Sequence, residues 1–254
     1  MAFYRREGAQ FAATEYTRGP WDPGAQHAGP PSALIARELE RCEPREGARI
    51  GRITLEILKP VPLARLSVEA RVVRPGRSVE LLEASLSGPD GELMRARAWR
   101  LLAGEVRLDE PDPGAAPAPP ESGATREFFP TGEGLGYHTA MEYRFVRGSF
   151  LEPGPATVWM RMQVPLVEGE EPSPLERVLV AADSGNGVSA ALDWTSYLFI
   201  NTDLSVHLLR EPVGEFVCLD AVTHVDGLGL ADSALWDERG RLGRSAQTLL
   251  VRAR

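Results

Sequence analysis

The sequence predicts an α+β protein whose second half repeats the plan of its first. Three observations carry that prediction. Each half shows one rather apolar helix followed by a run of alternating strands. A stretch rich in Pro and Ala lies between the halves. Short segments of the two halves align in the same order.

The first half reads as follows. Phe11 to Trp21 mixes apolar and polar residues and is a candidate first strand, closed by the turn residues Gly19 to Gly24. Ser32 to Glu43 is helical, because Leu34, Ile35, Leu39 and Cys42 fall on one stripe. Pro31 before it and Pro44 beyond it are the expected punctuation. Four strands follow: Arg52 to Leu58, Leu63 to Val73, Val79 to Ser87 and Glu92 to Leu102, the last two joined by the hairpin turn Pro89-Asp90-Gly91.

Ala103 to Thr125, with its run Ala115-Ala116-Pro117-Ala118-Pro119-Pro120, reads as an extended linker or a wandering surface loop. It divides the chain into residues 1–102 and 126–254. In the second part Thr139 to Phe150 and Thr157 to Leu166 are strands, and Ser173 to Trp194 is helical with an interruption at Gly185 to Gly187. Phe199 to Leu209, Phe216 to Val225, Gly229 to Trp236 and Arg241 to Val251 alternate as strands, with a turn at Asp237-Glu238-Arg239-Gly240.

The repeat is visible in residues. Glu83 to Arg95 aligns without gaps on Asp232 to Arg244, matching the acid, the leucines, the turn glycine and the arginine. Leu58-Lys59 matches Leu209-Arg210. Upstream, His27-Ala28-Gly29-Pro30-Pro31 is set against Asp183-Ser184-Gly185-Asn186-Gly187. In this register Gln247 stands where the first half has Ala98, Asn201 where it has Ile50, and Asp183 where it has His27. Buried polar groups cost free energy unless paired or used. The asymmetry therefore predicts one working site, in the second half, and a degenerate one in the first.

Composition narrows the function. The chain of 254 residues is 43% apolar, enough to build a full core. Its net charge of −8, with no basic run, argues against nucleic-acid binding. Lys59 is the only lysine. Cys42 and Cys218 read as reduced core thiols, and no Cys/His spacing suggests zinc. No apolar run is long enough to span a bilayer, and Met1 to Ala13 lacks a signal peptide's apolar region, so a cytoplasmic protein is expected. No Gly-x-Ser-x-Gly elbow and no dinucleotide or P-loop motif occurs, and nothing calls for a cofactor.

The candidate site is Ala181 to Trp194, where a carboxylate precedes Gly185-Asn186-Gly187. Asp183 is expected at a strained start of a buried helix, with glycine permitting close approach and free amides attracting an oxyanion. The competing reading is that Asp183 or Ser184 only caps the helix. His27 reads either as a mark of a second site or as a satisfied structural group. His207, His138 and His224 read as structural or strand-end residues, and Trp159, Trp194 and Trp236 as core.

At these residues the chain resembles the TesB-like acyl-CoA thioesterases, over nearly its whole length and most firmly in Trp21 to Glu40 and Asp183 to Arg252. The resemblance implies a double hotdog: two units on one chain, each a long helix wrapped by an antiparallel sheet. It implies a catalytic set of aspartate, a polar residue on the next strand and a glutamine on the closing strand, which fall on Asp183, Asn201 and Gln247. The usual threonine is Asn201 here, with Thr202 adjacent. It also implies an acyl-CoA substrate, no metal, and pairing of double units into a homodimer.

On this reading Asp183 serves as the base for an attacking water, directly or by orienting it, and Asn201 and Gln247 fix that water. Gly185, Asn186, Gly187 and Thr202 contact the substrate, the backbone of the first three receiving the oxyanion. Two other classes stay open. A non-catalytic acyl-CoA binder needs the pocket alone. A hydratase on the same fold needs a close Asp–His pair, and the sequence offers Asp183 no histidine at a plausible spacing.

Overall fold

The computed structural model describes residues 1–106, 108, 115–128 and 134–254. Of the linker, residues 107 and 109–114 therefore lie outside the described residues. Its later part is tied to the second half: Trp159 Nε1 donates to the Ala118 carbonyl at 2.8 Å, and Ala124 bridges Phe145.

The first half contains β1 (Tyr4–Glu7), β2 (Gln10–Ala13), α1 (Gly29–Arg41), β3 (Ala48–Ile57), β4 (Arg65–Arg74), β5 (Val79–Gly88) and β6 (Gly91–Leu102). The second contains α2 (Tyr137–Ala140), β7 (Met141–Arg147), β8 (Ala156–Met162), α3 (Pro174–Ala182), α4 (Gly185–Val188), β9 (Tyr197–Asn201), β10 (Asp203–Leu208), β11 (Val217–Asp226), β12 (Leu228–Asp237) and β13 (Gly240–Ala253). Most expected strands are present with shifted ends. The candidate strand at Phe11 to Trp21 is instead a hairpin, β1 and β2, followed by a short 3-10 turn at Glu15–Thr17. The expected strand from Phe199 to Leu209 is split into β9 and β10 at Thr202.

All strands join one antiparallel sheet in the order β1-β2-β4-β5-β6-β3-β10-β13-β12-β11-β8-β7, with β9 beside β13. That order has the same plan read from either end, and β3 and β10 meet at its centre. The sequence repeat aligns Leu58 with Leu209, which makes Ser205 the counterpart of Thr54. These two residues face each other across the β3–β10 pair, their hydroxyls 3.3 Å apart. The centre of the sheet is therefore the point where the two halves exchange.

One face of the sheet is apolar. Leu82, Ala84 and Leu86 of β5, Met94, Ala96 and Ala98 of β6, and Val158 and Met160 of β8 are buried on it, against the apolar stripes of α1 and α3. Alternation of period 2 in the strands and a one-sided stripe in the helices produce this main core, and Trp159, Phe216, Cys218 and Trp236 form a smaller second cluster. Among the described residues no helix is long and apolar enough to cross a membrane. Cys42 and Cys218 are both free, Cys218 buried and Cys42 half-buried at the end of α1.

The helices α1 and α3 pack with the start of one beside the end of the other. A Cβ on Gly29 would lie 2.4 Å from the Val180 carbonyl oxygen, so only glycine permits this approach. At the other end Ser173, whose hydroxyl caps α3 by accepting from the Glu176 amide, donates to Glu40 at 2.6 Å.

Two expectations about Asp183 are corrected here. Asp183 does not start a helix under strain: it closes α3 with ordinary right-handed dihedrals, φ −67° and ψ −14°. The break in the helix falls at Asp183-Ser184, and Gly185 to Gly187 belong to the helical turn α4. The upstream part of the repeat is also out of register. His27 precedes α1 whereas Asp183 ends α3, so they are not equivalent positions; they are partners.

Candidate active site

Asp183 is brought to the middle of the molecule by its place at the end of α3, and it is 4% exposed. Burying a carboxylate is costly unless its oxygens are satisfied, and here Oδ1 accepts two side-chain hydrogen bonds. Asn201 Nδ2 donates to Asp183 Oδ1 at 2.8 Å, and Gln247 Nε2 donates to the same oxygen at 3.1 Å. Asp183 Oδ2 lies 3.0 Å from His27 Nδ1.

The supporting elements follow from the sequence locally. Asn201 ends β9, which pairs with β13 so that Asn201 stands opposite Leu249. Gln247 lies two residues earlier on β13 and points to the same, inward face. Gln247 locks the junction of α3 and α4: besides the Asp183 carboxylate, its Nε2 donates to the Asp183 carbonyl at 3.1 Å, and its Oε1 accepts from the Asn186 amide at 3.1 Å. The three residues expected to form the catalytic set are thus hydrogen-bonded to one another through Asp183.

The expected substrate contacts divide. Asn186, Gly187 and Thr202 line the adjoining cavity, and at Gly187 the space where a Cβ would stand is open. Gly185 is not among the lining residues. A Cβ there would come within 2.9 Å of Ser233 Oγ and 3.0 Å of Gln247 Oε1, so this glycine permits close packing of α4 on β12 and β13. The Asn186 amide is engaged by Gln247 and is not an oxyanion donor in this arrangement.

His27 was outside the expected set, and the statement that Asp183 has no histidine in reach is overturned. The sequence separation of the two residues concealed a contact made by the packing of α1 on α3. His27 also lies face to face on Tyr137, centroids 3.6 Å apart and planes 6° apart. Tyr137 in turn donates to the Val180 carbonyl at 2.6 Å and meets Ser184 Oγ at 2.9 Å, which fixes the end of α3. Burial lowers the His27 pKa, and the Asp183 charge opposes that shift. Burial raises the Tyr137 pKa, so its phenol stays protonated and donates. His27 Nδ1 is also 3.1 Å from the Gly29 amide. One ring nitrogen carries either a proton or a lone pair, so Nδ1 accepts from Gly29 or donates to Asp183, not both. The only sequence signal for His27 was its position just before a glycine and two prolines that open an apolar helix.

The cavity beside Asp183 measures about 430 Å³ and is lined from both halves of the chain. Phe128, Tyr143 and Phe150 form an aromatic wall, with Phe128 and Phe150 edge to face at 4.5 Å. Leu58, Lys59 and Pro60, which follow β3, line another side. The site is a buried acid, two amides and an imidazole at the wall of an apolar cavity.

The antiparallel sheet lies over two central helices, with this polar cluster between the halves. The comparisons identify the family. Residues 17–101 match the model of the acyl-CoA thioesterase N-terminal domain and residues 111–251 that of the acyl-CoA thioesterase C-terminal domain, so the chain belongs to the acyl-CoA thioesterase family. A search of curated proteins found no match. Solved structures share the fold at low identity. A putative thioesterase II from Thermobifida fusca is 17% identical at a TM-score of 0.77, covering 98% of this chain and 94% of its own. A hot dog fold protein from Alicyclobacillus acidocaldarius is 16% identical at 0.76, covering 99% and 95%. The acyl-CoA thioesterase II TesB2 of Mycobacterium marinum is 16% identical at 0.66, covering 98% and 94%.

Proposed function

We propose that this protein hydrolyses acyl-CoA thioesters, and that it does so as a double hotdog of units 1–102 and 126–254 joined by the linker 103–125. The observation that carries the activity is the convergence of Asn201 and Gln247 on Asp183 Oδ1 beside an apolar cavity. The acyl chain lies against Phe128, Tyr143 and Phe150. Water held at the Asp183 carboxylate attacks the thioester carbonyl carbon, and Asp183 takes its proton. The C–S bond then breaks, and the proton returns to the leaving thiolate. Asn201 and Gln247 hold the carboxylate in place, which keeps the attacking geometry fixed without reorganisation.

One observation favours a second reading. The Asp183–His27 contact supplies the acid–imidazole pair that a hydratase on this fold needs. The family match supports hydrolysis over hydration. A panel of acyl-CoAs and enoyl-CoAs with a thiol reagent separates the outcomes. Release of free thiol supports the thioesterase; loss of enoyl absorbance without thiol release supports the hydratase; binding with neither supports an acyl-CoA binding protein.

A further inference from the structure

A second cavity, about 1010 Å³, lies at the far ends of α1 and α3. It is the counterpart of the first under the exchange of halves. The site cavity is lined by Ile57 to Val61 and by Ile200 to Thr202. The second cavity is lined by Leu208 to Pro212 and by Arg49 to Gly51, which are the same positions with the halves exchanged. Asp183 has its counterpart too. Glu40, one residue before the end of α1, lines the second cavity and accepts from Ser173 just ahead of α3, as Asp183 meets His27 just ahead of α1.

The differences decide what this cavity does. Ile50 replaces Asn201 and Ala98 replaces Gln247, so Glu40 lacks the two amides that hold Asp183. At the rim the change runs the other way. Arg49 stands in place of Ile200 and Arg210 in place of Lys59, and Arg239 and Arg241 are added. Arg210 is committed to Asp237 through two contacts of 2.6 Å, and Arg49 faces Glu211 at 3.4 Å. Among the described residues the Arg239 side chain has no carboxylate partner. Arg241 donates to the Gly243 carbonyl and lies over the Trp236 ring at 5.3 Å, also without an acid. In a chain of net charge −8 this is a local concentration of guanidinium groups, the side chain best suited to phosphoryl oxygens.

We infer that the second cavity is a non-hydrolytic site for a phosphoryl-bearing ligand of nucleotide size, held at its rim by Arg239 and Arg241. Its chemistry fits free polyphosphate or the phosphate-bearing nucleotide part of coenzyme A. The inference shares with the proposed function the descent of both cavities from one acyl-CoA site, but its test does not depend on turnover.

Isothermal titration of the full chain with CoA and, separately, with pyrophosphate reads it directly. Two CoA per chain are expected for the wild type and one for R239A/R241A, whose thioesterase kcat stays unchanged. A weakening of second-site affinity by about tenfold or more in the double variant is the expected scale. Pyrophosphate binding that R239A/R241A abolishes, without a second CoA, assigns the site to free polyphosphate. One CoA per chain with no pyrophosphate binding, or any second-site binding unchanged in R239A/R241A, overturns the inference. Absence of thiol release with the second site intact would defeat the proposed hydrolysis and leave this site standing.

Discussion

His27 Nδ1 and Asp183 Oδ2 lie 3.0 Å apart, although 155 positions separate them in the chain. Two helix ends make the contact: His27 enters α1, Asp183 leaves α3, and Gly29 lets the helices approach. His27 Nδ1 also lies 3.1 Å from the Gly29 amide, so it faces the carboxylate as a donor only when that nitrogen carries a proton. Since burial lowers the His27 pKa, the imidazole is neutral at pH 7. Acidification protonates it, leaving a cation clamped on the carboxylate that is to act as base. Activity is therefore expected to fall as pH drops below the ordinary histidine range. In His27→Gln that acidic limb should change shape or shift, which a pH profile of kcat/KM measures. A purely structural His27 would lower stability and leave the limb where it is.

Gln247 joins three groups at once. Its removal in Gln247→Ala leaves the Asp183 carbonyl and the Asn186 amide buried without their partner. Each such loss costs about 1–3 kcal/mol, so the variant should melt earlier and also lose kcat. Asn201→Ala removes one amide from Asp183 Oδ1 at a less buried position and should reduce kcat with a smaller loss of stability. Thermal melts beside kinetics separate the two effects.

Gly29→Ala tests the helix contact. The new methyl would stand 2.4 Å from the Val180 carbonyl, so the backbones must part. Overpacking of this kind typically costs about 1–3 kcal/mol. Because the same displacement moves His27 from Asp183, kcat should fall together with the denaturation midpoint.

Glu176 supplies a pH-dependent stability term away from the site. Burial, followed by the nearby Glu40 charge, pushes its pKa up to about 7 from an ordinary 4.5. A carboxyl raised in the folded state binds its proton more tightly there than in the unfolded chain. Its stabilising contribution is therefore full below about pH 4.5 and is lost as pH rises through 7. Glu176→Gln should remove that decline, making the variant more stable than wild type at pH 8. Urea denaturation at pH 5 and pH 8 checks the sign.

The sequence shows the strands and helices well because period-2 alternation and a one-sided stripe are local properties. The hairpin Pro89-Asp90-Gly91 and its counterpart Asp237 to Gly240 align the closing strands, and the Leu58–Leu209 match gives the register in which Thr54 corresponds to Ser205, the residue it faces. Asp183, Asn201 and Gln247 were legible as a set through their resemblance to a family pattern, and the structure brings them together. What was not legible depends on packing between distant segments. His27 was set against Asp183 as an equivalent because short Gly-rich stretches align in many registers; only helix packing shows that the two touch. The role of Gly185 was misplaced for a related reason, since whether a glycine faces a ligand or a neighbouring strand is decided by β12 and β13. The second cavity and its arginines could not be read before the exchange of halves was known in space.

Thiol release from acyl-CoA by wild type and by Asp183→Asn is the most direct test. The substitution keeps the size of the side chain and removes its capacity to accept a proton, and general-base catalysis typically contributes about 10²–10⁴-fold. The account predicts a kcat loss on that scale in a protein that still folds and still binds CoA. Turnover by Asp183→Asn within a few-fold of wild type would contradict it.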